Sequence, residues 1–278
     1  MLVSLGDLVT DVTVVPTGPI RPGDDTPARV RIGGGGQAAN WCAWVAHLGG
    51  PSRLVTRVGR DPAGRQLVEE LEEGGVQVCA VRTADPTGAI VVLVDAAGGR
   101  SFFTERGAVL SLRSEELRRE WLSDAALLHL PLYSLLVEPL AGAARHAARW
   151  ARDGGALLSV DLSSAAGIAA RGAPALVDEL RELRPELLFA TRNEAAALDA
   201  PLDELAAVPV LKLGRDGCWL GDRPFPAAPT EVVDATGAGD AFAAAFCRSY
   251  ARERDAAAAA HAALEAGARA VGRLGARP

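Results

Sequence analysis

The chain alternates short apolar runs with longer segments in which apolar residues recur every three or four positions. The short runs, such as "ALLHLPL", "ALLSVDL" and "VPVLKLG", are typical of strands that are buried on both faces. The longer segments predict helices at 115–122, 136–153, 173–183, about 193–199 and beyond residue 238. Strands that alternate with helices predict an α/β fold, in which helices cover both faces of a mostly parallel sheet.

Two segments in the first half of the chain depart from this rhythm. Residues from about 12–32 and 88–106 alternate apolar and polar positions around Pro and Gly, and the second contains the hairpin signal "DAAGG". We expect them to form a small separate sheet. That sheet would be a lid near the substrate, or a dimer surface because its edges need cover. The sequence has no linker or internal repeat, which predicts a single domain over residues 1–278.

The charge balance limits the partners of this protein. The sequence holds 29 basic and 35 acidic residues, a net charge of −6, which argues against broad binding to nucleic acid or to a membrane surface. An anionic ligand therefore needs a local device, such as backbone N–H groups or one placed arginine. The N-terminus lacks the basic region of a signal peptide and the apolar stretches are interrupted by charge, which predicts a cytoplasmic protein. No CxxC spacing favours zinc or disulfides among the four cysteines, Cys42, Cys79, Cys218 and Cys247.

The stretch "DATGAGD" at residues 234–240 carries the most specific chemistry. Three small residues, Gly237, Ala238 and Gly239, lead into an apolar helix, and the N–H groups at a helix N-terminus attract an anion. Asp240 falls in the first turn. A carboxylate there either stabilises its own helix or acts as a general base beside a transferring phosphoryl group. The sequence lacks GxxxxGK[ST], so this cradle would differ from a P-loop.

Two other glycine-containing stretches are candidates for ligand contact. "GGGG" at residues 33–36 lies between a strand and a helix, where it either lets the backbone approach a ligand or forms a flexible turn. Its spacing does not fit GxGxxG, which argues against a Rossmann dehydrogenase. Asn40, on the first turn of the next helix, either points its side-chain amide into the same pocket or is a satisfied residue of the helix surface. "KLGRDG" at 212–217 follows a strand, where parallel sheets bind ligands, although a plain hairpin turn would look alike.

Together these stretches resemble the PfkB, or ribokinase-like, family of sugar kinases. "GGGGQAANWCAWVAHLG" at 33–49 is similar to the N-terminal signature of that family, and "DATGAGDAF" at 234–242 is similar to its C-terminal signature. "LVTRVGRDPAGRQLVEEL", "RGAV" and "VDLSSAAG" fall between them in the expected order, so the resemblance covers roughly residues 2–276. It implies a three-layer α/β/α sandwich with a small β lid. It also implies an ATP-dependent kinase with Mg²⁺, with K⁺ in some members, and a homodimer formed through the lid.

The resemblance implies a role for individual residues. Asp240 would be the catalytic base, with Gly237, Ala238 and Gly239 as the anion hole. The sugar would contact Asp11, Gly34, Gly35 and Asn40. The nucleotide would lie beside Asn193, Lys212, Gly214 and Gly217. Asp234 matches a position that helps to hold a monovalent cation, and Glu194 lies two residues before the position of a carboxylate that organises magnesium.

Two positions depart from the family pattern. The usual N-x-x-E motif is incomplete because Ala196 occupies its Glu position. Either Glu194 substitutes from a neighbouring position, or water and phosphate hold the metal with less help from the protein. Ala235 stands where Thr is usual, which removes a hydroxyl group but no backbone donor.

The substrate is less directly indicated. Arg106 lies where 2-keto-3-deoxygluconate kinases of this family place an arginine near the substrate carboxylate; the alternative is an exposed arginine at the end of the lid. Aromatic residues make up 5% of the chain, and Phe102 and Phe103 form no clear stacking pair in the lid, which favours a small sugar or sugar acid over a nucleoside. We therefore expect phosphorylation of a primary hydroxyl group of such a carbohydrate. The alternatives are a nucleoside kinase and a sugar-binding regulator that has lost catalysis.

Overall fold

A computed structural model describes residues 1–95 and 99–278. Within these residues the strands are β1 (Leu2–Leu5), β2 (Val9–Pro16), β3 (Ala28–Gly35), β4 (Ser52–Gly59), β5 (Val76–Thr83), β6 (Thr87–Val94), β7 (Arg100–Gly107), β8 (Leu127–Pro131), β9 (Leu157–Asp161), β10 (Leu187–Thr191), β11 (Val208–Lys212), β12 (Cys218–Leu220) and β13 (Arg223–Phe225). The helices are α1 (Gln37–His47), α2 (Pro62–Glu73), α3 (Leu140–Asp153), α4 (Ala165–Arg171), α5 (Ala173–Leu183), α6 (Arg192–Leu198), α7 (Ala238–Glu253) and α8 (Ala256–Val271).

A nine-stranded sheet forms the centre of the molecule, in the order β13-β12-β11-β10-β9-β8-β1-β4-β5. The strands from β11 to β5 in this order pair in parallel, and the hairpin of β12 and β13 adds two antiparallel strands at one edge. Parallel strands cannot be joined by tight turns, so helices cross over the faces of the sheet between them. The predicted α/β class with a mostly parallel sheet is confirmed.

Alternate strand residues enter two separate cores, one on each face of the central sheet. Leu187 and Phe189 of β10 enter a core with α1, α2, α7 and α8, whereas Leu188 and Ala190 enter a core with α3, α4, α5 and α6. This two-sided burial explains why the strands read as continuous apolar runs in the sequence. Helices, sheet and helices form the three expected layers.

A second sheet, here called the lid, contains four strands in the order β3-β2-β6-β7. β2 pairs with β3 antiparallel and with β6 in parallel, so a single sheet combines strands from the two segments that the alternating pattern set apart. The chain runs from β1 through β2 and β3 directly into α1, which holds the lid at the carboxyl edge of the central sheet. Residues 96–98 of the "DAAGG" turn lie outside the described residues.

One local prediction was wrong, and one helix was missed. The segment 115–122 forms short 3₁₀ turns at Ser114–Glu116 and Arg119–Trp121 instead of a helix. Tertiary contacts override its periodicity, because Glu116 pairs with Arg57 at 2.8 Å and Leu117 is buried in an extended conformation. Helix α4 was not predicted, since Ile168 is its one buried residue and gives no apolar stripe. None of the helices in the described ranges is long and apolar enough to cross a membrane.

Candidate active site

Several charged side chains lie at the carboxyl edge of the central sheet. Asp7 follows β1, Asp161 is the last residue of β9 and Lys212 is the last residue of β11. Asp240 reaches the same region from the first turn of α7. Ligands of open α/β sheets bind outside the carboxyl ends of the strands, so this edge is the candidate site.

The loop before α7 holds backbone N–H groups in position for an anion. Gly237 is the N-cap residue with φ 75°, and a Cβ atom there would collide with the backbone of Ala276, so the loop requires glycine. Within the described residues, the amide groups of Gly237, Gly239 and Asp240 donate to no protein acceptor. The amide of Ala238, which was also predicted to belong to the anion hole, donates to the carbonyl oxygen of Ala235 at 3.4 Å. Free donors at the positive end of a 16-residue helix form an anion site.

Asp240 lies beside this loop with a half-buried carboxylate. The side-chain amide of Asn40 donates to Oδ2 across 3.0 Å, which fixes the orientation of the carboxylate. Burial raises the pKa of Asp240 from 3.8 to about 7, although the hydrogen bond from Asn40 lowers it, and the Asp161 carboxylate raises it further. A carboxylate whose pKa lies near neutrality is suited to take a proton from an alcohol.

Lys212 supplies positive charge next to the anion loop. Its Nζ donates to Oδ2 of the fully buried Asp161 at 2.6 Å, and a Cβ atom at Gly239 would lie 3.8 Å from the same nitrogen. Burial lowers the pKa of Lys212, but the carboxylates of Asp161 and Glu194 outweigh it and the net shift is upward. The ammonium group is therefore charged where it faces the loop.

The predicted sugar-binding residues lie on the other side of Asp240. Asp11 in β2 packs against Gly35 in β3, where any Cβ atom would collide with the carboxyl group. Burial raises the pKa of Asp11 to about 6. Asn40 is buried on the first turn of α1, and its amide joins Asp240 to this pocket. The structure thus brings Asp11, Gly35, Asn40 and Asp240 together, as the resemblance implied.

Arg277 completes the same pocket, although nothing in the sequence singled it out. Its Nη2 donates to the carbonyl oxygen of Gly35 at 2.8 Å and its Nε donates to Oδ1 of Asn40 at 3.2 Å. The guanidinium group packs against Gly34, which leaves no room there for a side chain. Arg277 follows Asn40 by 237 positions, so no local spacing could reveal the contact.

Arg106 is held by an acidic partner inside the protein. Its Nε and Nη2 donate to the two carboxylate oxygens of Asp7 at 2.9 and 2.5 Å, and its Nη1 donates to the carbonyl oxygen of Tyr133 at 3.0 Å. Its side chain is only 11% exposed, so the alternative of an exposed arginine at the end of the lid was wrong. The two-point contact with Asp7 already satisfies the geometry that a substrate carboxylate would use.

Asp234 also has partners on both of its oxygens. Oδ1 accepts from Oγ1 of Thr236 at 2.6 Å and from Nη2 of Arg100 at 2.7 Å, and Oδ2 accepts from the amide of Gly275 at 3.0 Å. Arg100 is the first residue of β7 in the lid. The lid therefore contacts the anion loop directly, in a closed arrangement.

Three other residues, Gly214, Gly217 and Asn193, were predicted to contact the nucleotide, and they have different surroundings in the structure. Gly214 follows β11 with φ 59° and open space where a side chain would be, next to the strand end that carries Lys212. Gly217 serves the hairpin instead, because a Cβ atom would collide with the carbonyl oxygen of Phe225. Asn193 is exposed on α6, and its neighbour Glu194 is buried in the capping box of that helix, where Oε2 accepts from the amide of Thr191 at 2.8 Å.

The fold and the site define a class of protein. A parallel α/β/α sandwich with an anion loop, an adjacent carboxylate and a lid that closes over both has the parts of a small-molecule kinase. The solved structure of adenosine kinase from Sinorhizobium meliloti has the same fold, with a TM-score of 0.86 at 24% identity, covering 100% of this chain and 95% of that one.

Sequence comparison identifies the family. The family described as "pfkB family carbohydrate kinase" matches residues 1–278. Fructokinase-1 of Oryza sativa subsp. japonica is 31% identical over 268 residues, or 89% of this chain and 82% of the rice protein. An ATP-dependent ribose-1-phosphate kinase of Halopiger xanaduensis is 31% identical over 284 residues, or 99% of this chain and 93% of the archaeal protein. The chain belongs to the pfkB family of carbohydrate kinases, which confirms the resemblance and the predicted kinase class.

Proposed function

We propose that this kinase transfers the γ-phosphoryl group of ATP to a primary hydroxyl group of a small sugar or sugar acid. The observation that carries the proposal is the pairing of free amide donors at Gly237, Gly239 and Asp240 with the Asp240 carboxylate beside them. The donors suit a phosphoryl group, and the carboxylate suits the hydroxyl group that attacks it.

The proton and the phosphoryl group move in one exchange. Asp240 takes the proton of the acceptor hydroxyl group while the hydroxyl oxygen of the acceptor forms a bond to the γ-phosphorus. The bond from that phosphorus to the β–γ bridging oxygen breaks, which releases ADP. The amides of the anion loop donate to the phosphoryl oxygens, and the Lys212 ammonium offsets their charge. Asp11 and Asn40 orient the acceptor, and the lid excludes water from the transfer.

The residues present fit a magnesium ion that is held mainly by phosphate and water. Within the described ranges no three His, Cys, Asp or Glu side chains are grouped to hold a metal ion by themselves. Magnesium usually keeps several waters and uses one or two carboxylates with substrate phosphates. The charges of Glu194 and Lys212 interact, and Oε2 of Glu194 accepts from the amide of Thr191, so this carboxylate would help to hold the ion despite Ala196. When bound, the ion offsets the negative charge of the phosphates.

A potassium ion beside Asp234 is a separate proposal with a specific condition. Arg100 already supplies positive charge to this carboxylate while the lid is closed, so a cation could bind only after Arg100 withdraws. Turnover in potassium and in choline salts, compared between the wild type and Arg100→Ala, tests the idea. If neither protein responds to potassium, Asp234 holds no cation.

We also propose a homodimer formed through the outer face of the lid. Asp11 points toward the active site, so its neighbour Val12 points away, because successive strand residues face opposite sides. Strand pairing places Ile32, Val12, Val91 and Phe103 in one row on that outer face. Ile32 and Phe103 are 70% and 59% exposed, and apolar patches of this kind mark interaction surfaces.

The four free cysteines support a reducing, cytoplasmic location.

A coupled assay of ADP release across sugars, sugar acids and nucleosides tests the proposed function. We expect activity with a member of the first two groups and a loss of about 10²- to 10⁴-fold in turnover for Asp240→Asn, with ATP binding retained. Activity with purine nucleosides alone would favour a nucleoside kinase. Sugar binding without ADP release would favour the regulator, and near-normal turnover in Asp240→Asn would remove Asp240 as the base.

A further inference from the structure

Arg277 is held in the acceptor pocket by hydrogen bonds of the two residues that precede it. The indole nitrogen of Trp44 donates to the carbonyl oxygen of Ala276 at 2.9 Å, and Trp44 itself is buried. The amide of Gly275 donates to Asp234 at 3.0 Å. These bonds anchor the two residues before Arg277 to α1 and to the anion loop. The side chain therefore enters the pocket from a fixed position.

Arg277 differs from three other cationic side chains of this site because it has no ion-pair partner within the described part of the chain. Arg100 is ion-paired with Asp234, Arg106 with Asp7 and Lys212 with Asp161, each within 2.7 Å. Arg277 has no carboxylate within 4.0 Å among the described residues, although Asp11 and Asp240 act on it from farther away. Its two protein acceptors are a carbonyl oxygen and an amide oxygen, both neutral.

Several N–H groups of the Arg277 guanidinium donate no hydrogen bond within the described residues. An arginine has five N–H groups, and Arg277 uses one on Nε and one on Nη2 within the described residues. Nη1 and the second N–H of Nη2 can therefore form the planar two-point contact that a carboxylate or phosphate accepts. Burial lowers the pKa of Arg277 to about 10, so the group stays cationic at neutral pH.

We propose that Arg277 is a specificity-determining residue that selects an acceptor carrying a carboxylate or a phosphate group. This inference rests on the proposed kinase function and names its substrate class: an anionic sugar whose charged group contacts Arg277 while a hydroxyl group faces Asp240. Asp11 and Asn40 already provide the hydrogen-bonding groups that a neutral sugar needs, so the additional fixed cation serves an additional negative charge. The protein carries a net charge of −6, and a local cation is the device by which such a protein binds an anion.

Matched acceptors that differ in charge test the proposal. The assay compares a neutral pentose, the same pentose as its 1-phosphate, and the corresponding aldonic acid, which separates phosphate from carboxylate. The wild type should prefer one of the anionic acceptors. In Arg277→Gln, kcat/KM for that acceptor should fall about 10- to 100-fold more than kcat/KM for the neutral pentose does, as expected for the loss of a charge-assisted contact. Arg277→Lys should recover part of the loss.

Arg273→Ala is the matched control. It removes the same charge from the same C-terminal segment, but Arg273 is solvent-exposed and should leave the preference unchanged. Equal losses of kcat/KM on neutral and anionic acceptors in Arg277→Gln would show that Arg277 maintains the structure of the pocket and does not select an anion. Higher activity on every acceptor would show that Arg277 blocks the pocket. Either result overturns the proposal.

Binding measurements keep the inference separate from the kinase function. Calorimetry in the Asp240→Asn background measures affinity for the three acceptors without turnover. A preference for an anionic acceptor that depends on Arg277 supports the inference even if no ADP release is found. Equal affinity for all three acceptors refutes it even in an active kinase.

Discussion

At the scale of single residues, the Asp161 and Asp240 carboxylates in the pocket differ in their hydrogen-bond partners. Asp161 is fully buried and bonded to the Lys212 ammonium, which fixes its position. Asp240 has no cation within ion-pairing distance among the described residues and is held by the neutral amide of Asn40. Environments that differ in this way suit the two acids to separate tasks: Asp161 positions the Lys212 ammonium, and Asp240 is the proposed general base.

The raised pKa of Asp240 predicts the pH dependence of the reaction. The base must be ionised, and its pKa is raised from 3.8 to about 7, so kcat/KM should fall tenfold per pH unit below about pH 7. Asn40 lowers that pKa through its hydrogen bond, so Asn40→Ala should move the acidic limb to higher pH. The measurement is a kcat/KM profile from pH 5 to pH 9 with an acceptor that does not titrate in that range.

The exposed Gln66 on α2 offers a control for this profile. Gln66→Ala should leave the acidic limb in place, because the side chain bonds only Glu70 on the helix surface. An acidic limb near pH 4 in the wild type would show that Asp240 is not the titrating base. An unchanged limb in Asn40→Ala would show that its hydrogen bond does not act on the base.

The sequence predicted those residues whose function follows from local motifs. Asp240 and the glycines of its loop follow from the start of α7, and Asn40 follows from the start of α1. Asp7, Asp161 and Arg277 could not be assigned a role, because each is defined by a partner far along the chain. The Asp7–Arg106 pair spans 99 positions and the Asp161–Lys212 pair spans 51. Single acidic residues at strand ends are too common in sequences to indicate such pairs.

At the scale of elements, the start of α7 depends on close backbone contact with the C-terminal segment. Gly237→Ala should lower the free energy of unfolding by about 1–3 kcal/mol, because Gly237 has φ 75° and its Cβ atom would collide with the backbone of Ala276. Gly239→Ala is the comparison: its Cβ atom would meet only Lys212 Nζ, at 3.8 Å, so stability should change by less than about 0.5 kcal/mol. Urea unfolding measures both, and equal losses would contradict the contact.

The same scale shows what the apolar pattern could and could not determine. Helix α5 occupies the predicted residues 173–183, where four buried leucine and valine side chains recur at helical spacing. The lid strands were recognised by their alternation, but their order was not, because β2 and β6 are joined by no tight turn. Segment 115–122 was predicted as a helix because its pairing with Arg57 lies outside the local pattern.

At the scale of the whole molecule, the site is assembled from segments that lie far apart in the sequence. Arg100 joins the lid to the anion loop, and Arg277 joins the C-terminal segment to α1 and β3. Arg100 of the lid bonds Oδ1 of Asp234, and Gly275 of the C-terminal segment bonds Oδ2. The lid and the C-terminal segment therefore both contact the anion loop through this carboxylate. Binding of the proposed acceptor at Arg277 should therefore be coupled to lid closure, because Arg277 follows Gly275 by two residues and Gly275 shares the Asp234 carboxylate with Arg100 of the lid.

The lid also predicts how whole molecules associate. Phe102 and Phe103 are adjacent in β7 and are 61% and 59% exposed, but they lie on opposite faces of the lid. Phe103→Glu places a charge on the outer apolar row with Ile32 and should convert a dimer of 28.8 kDa chains into monomers, because an unpaired charge is costly in a buried interface. Phe102→Glu places the same charge on the inner face and should leave the dimer intact. Sedimentation velocity over a range of protein concentrations distinguishes the two variants. A wild type that sediments as a monomer, or dissociation by Phe102→Glu alone, would exclude the outer face as the interface.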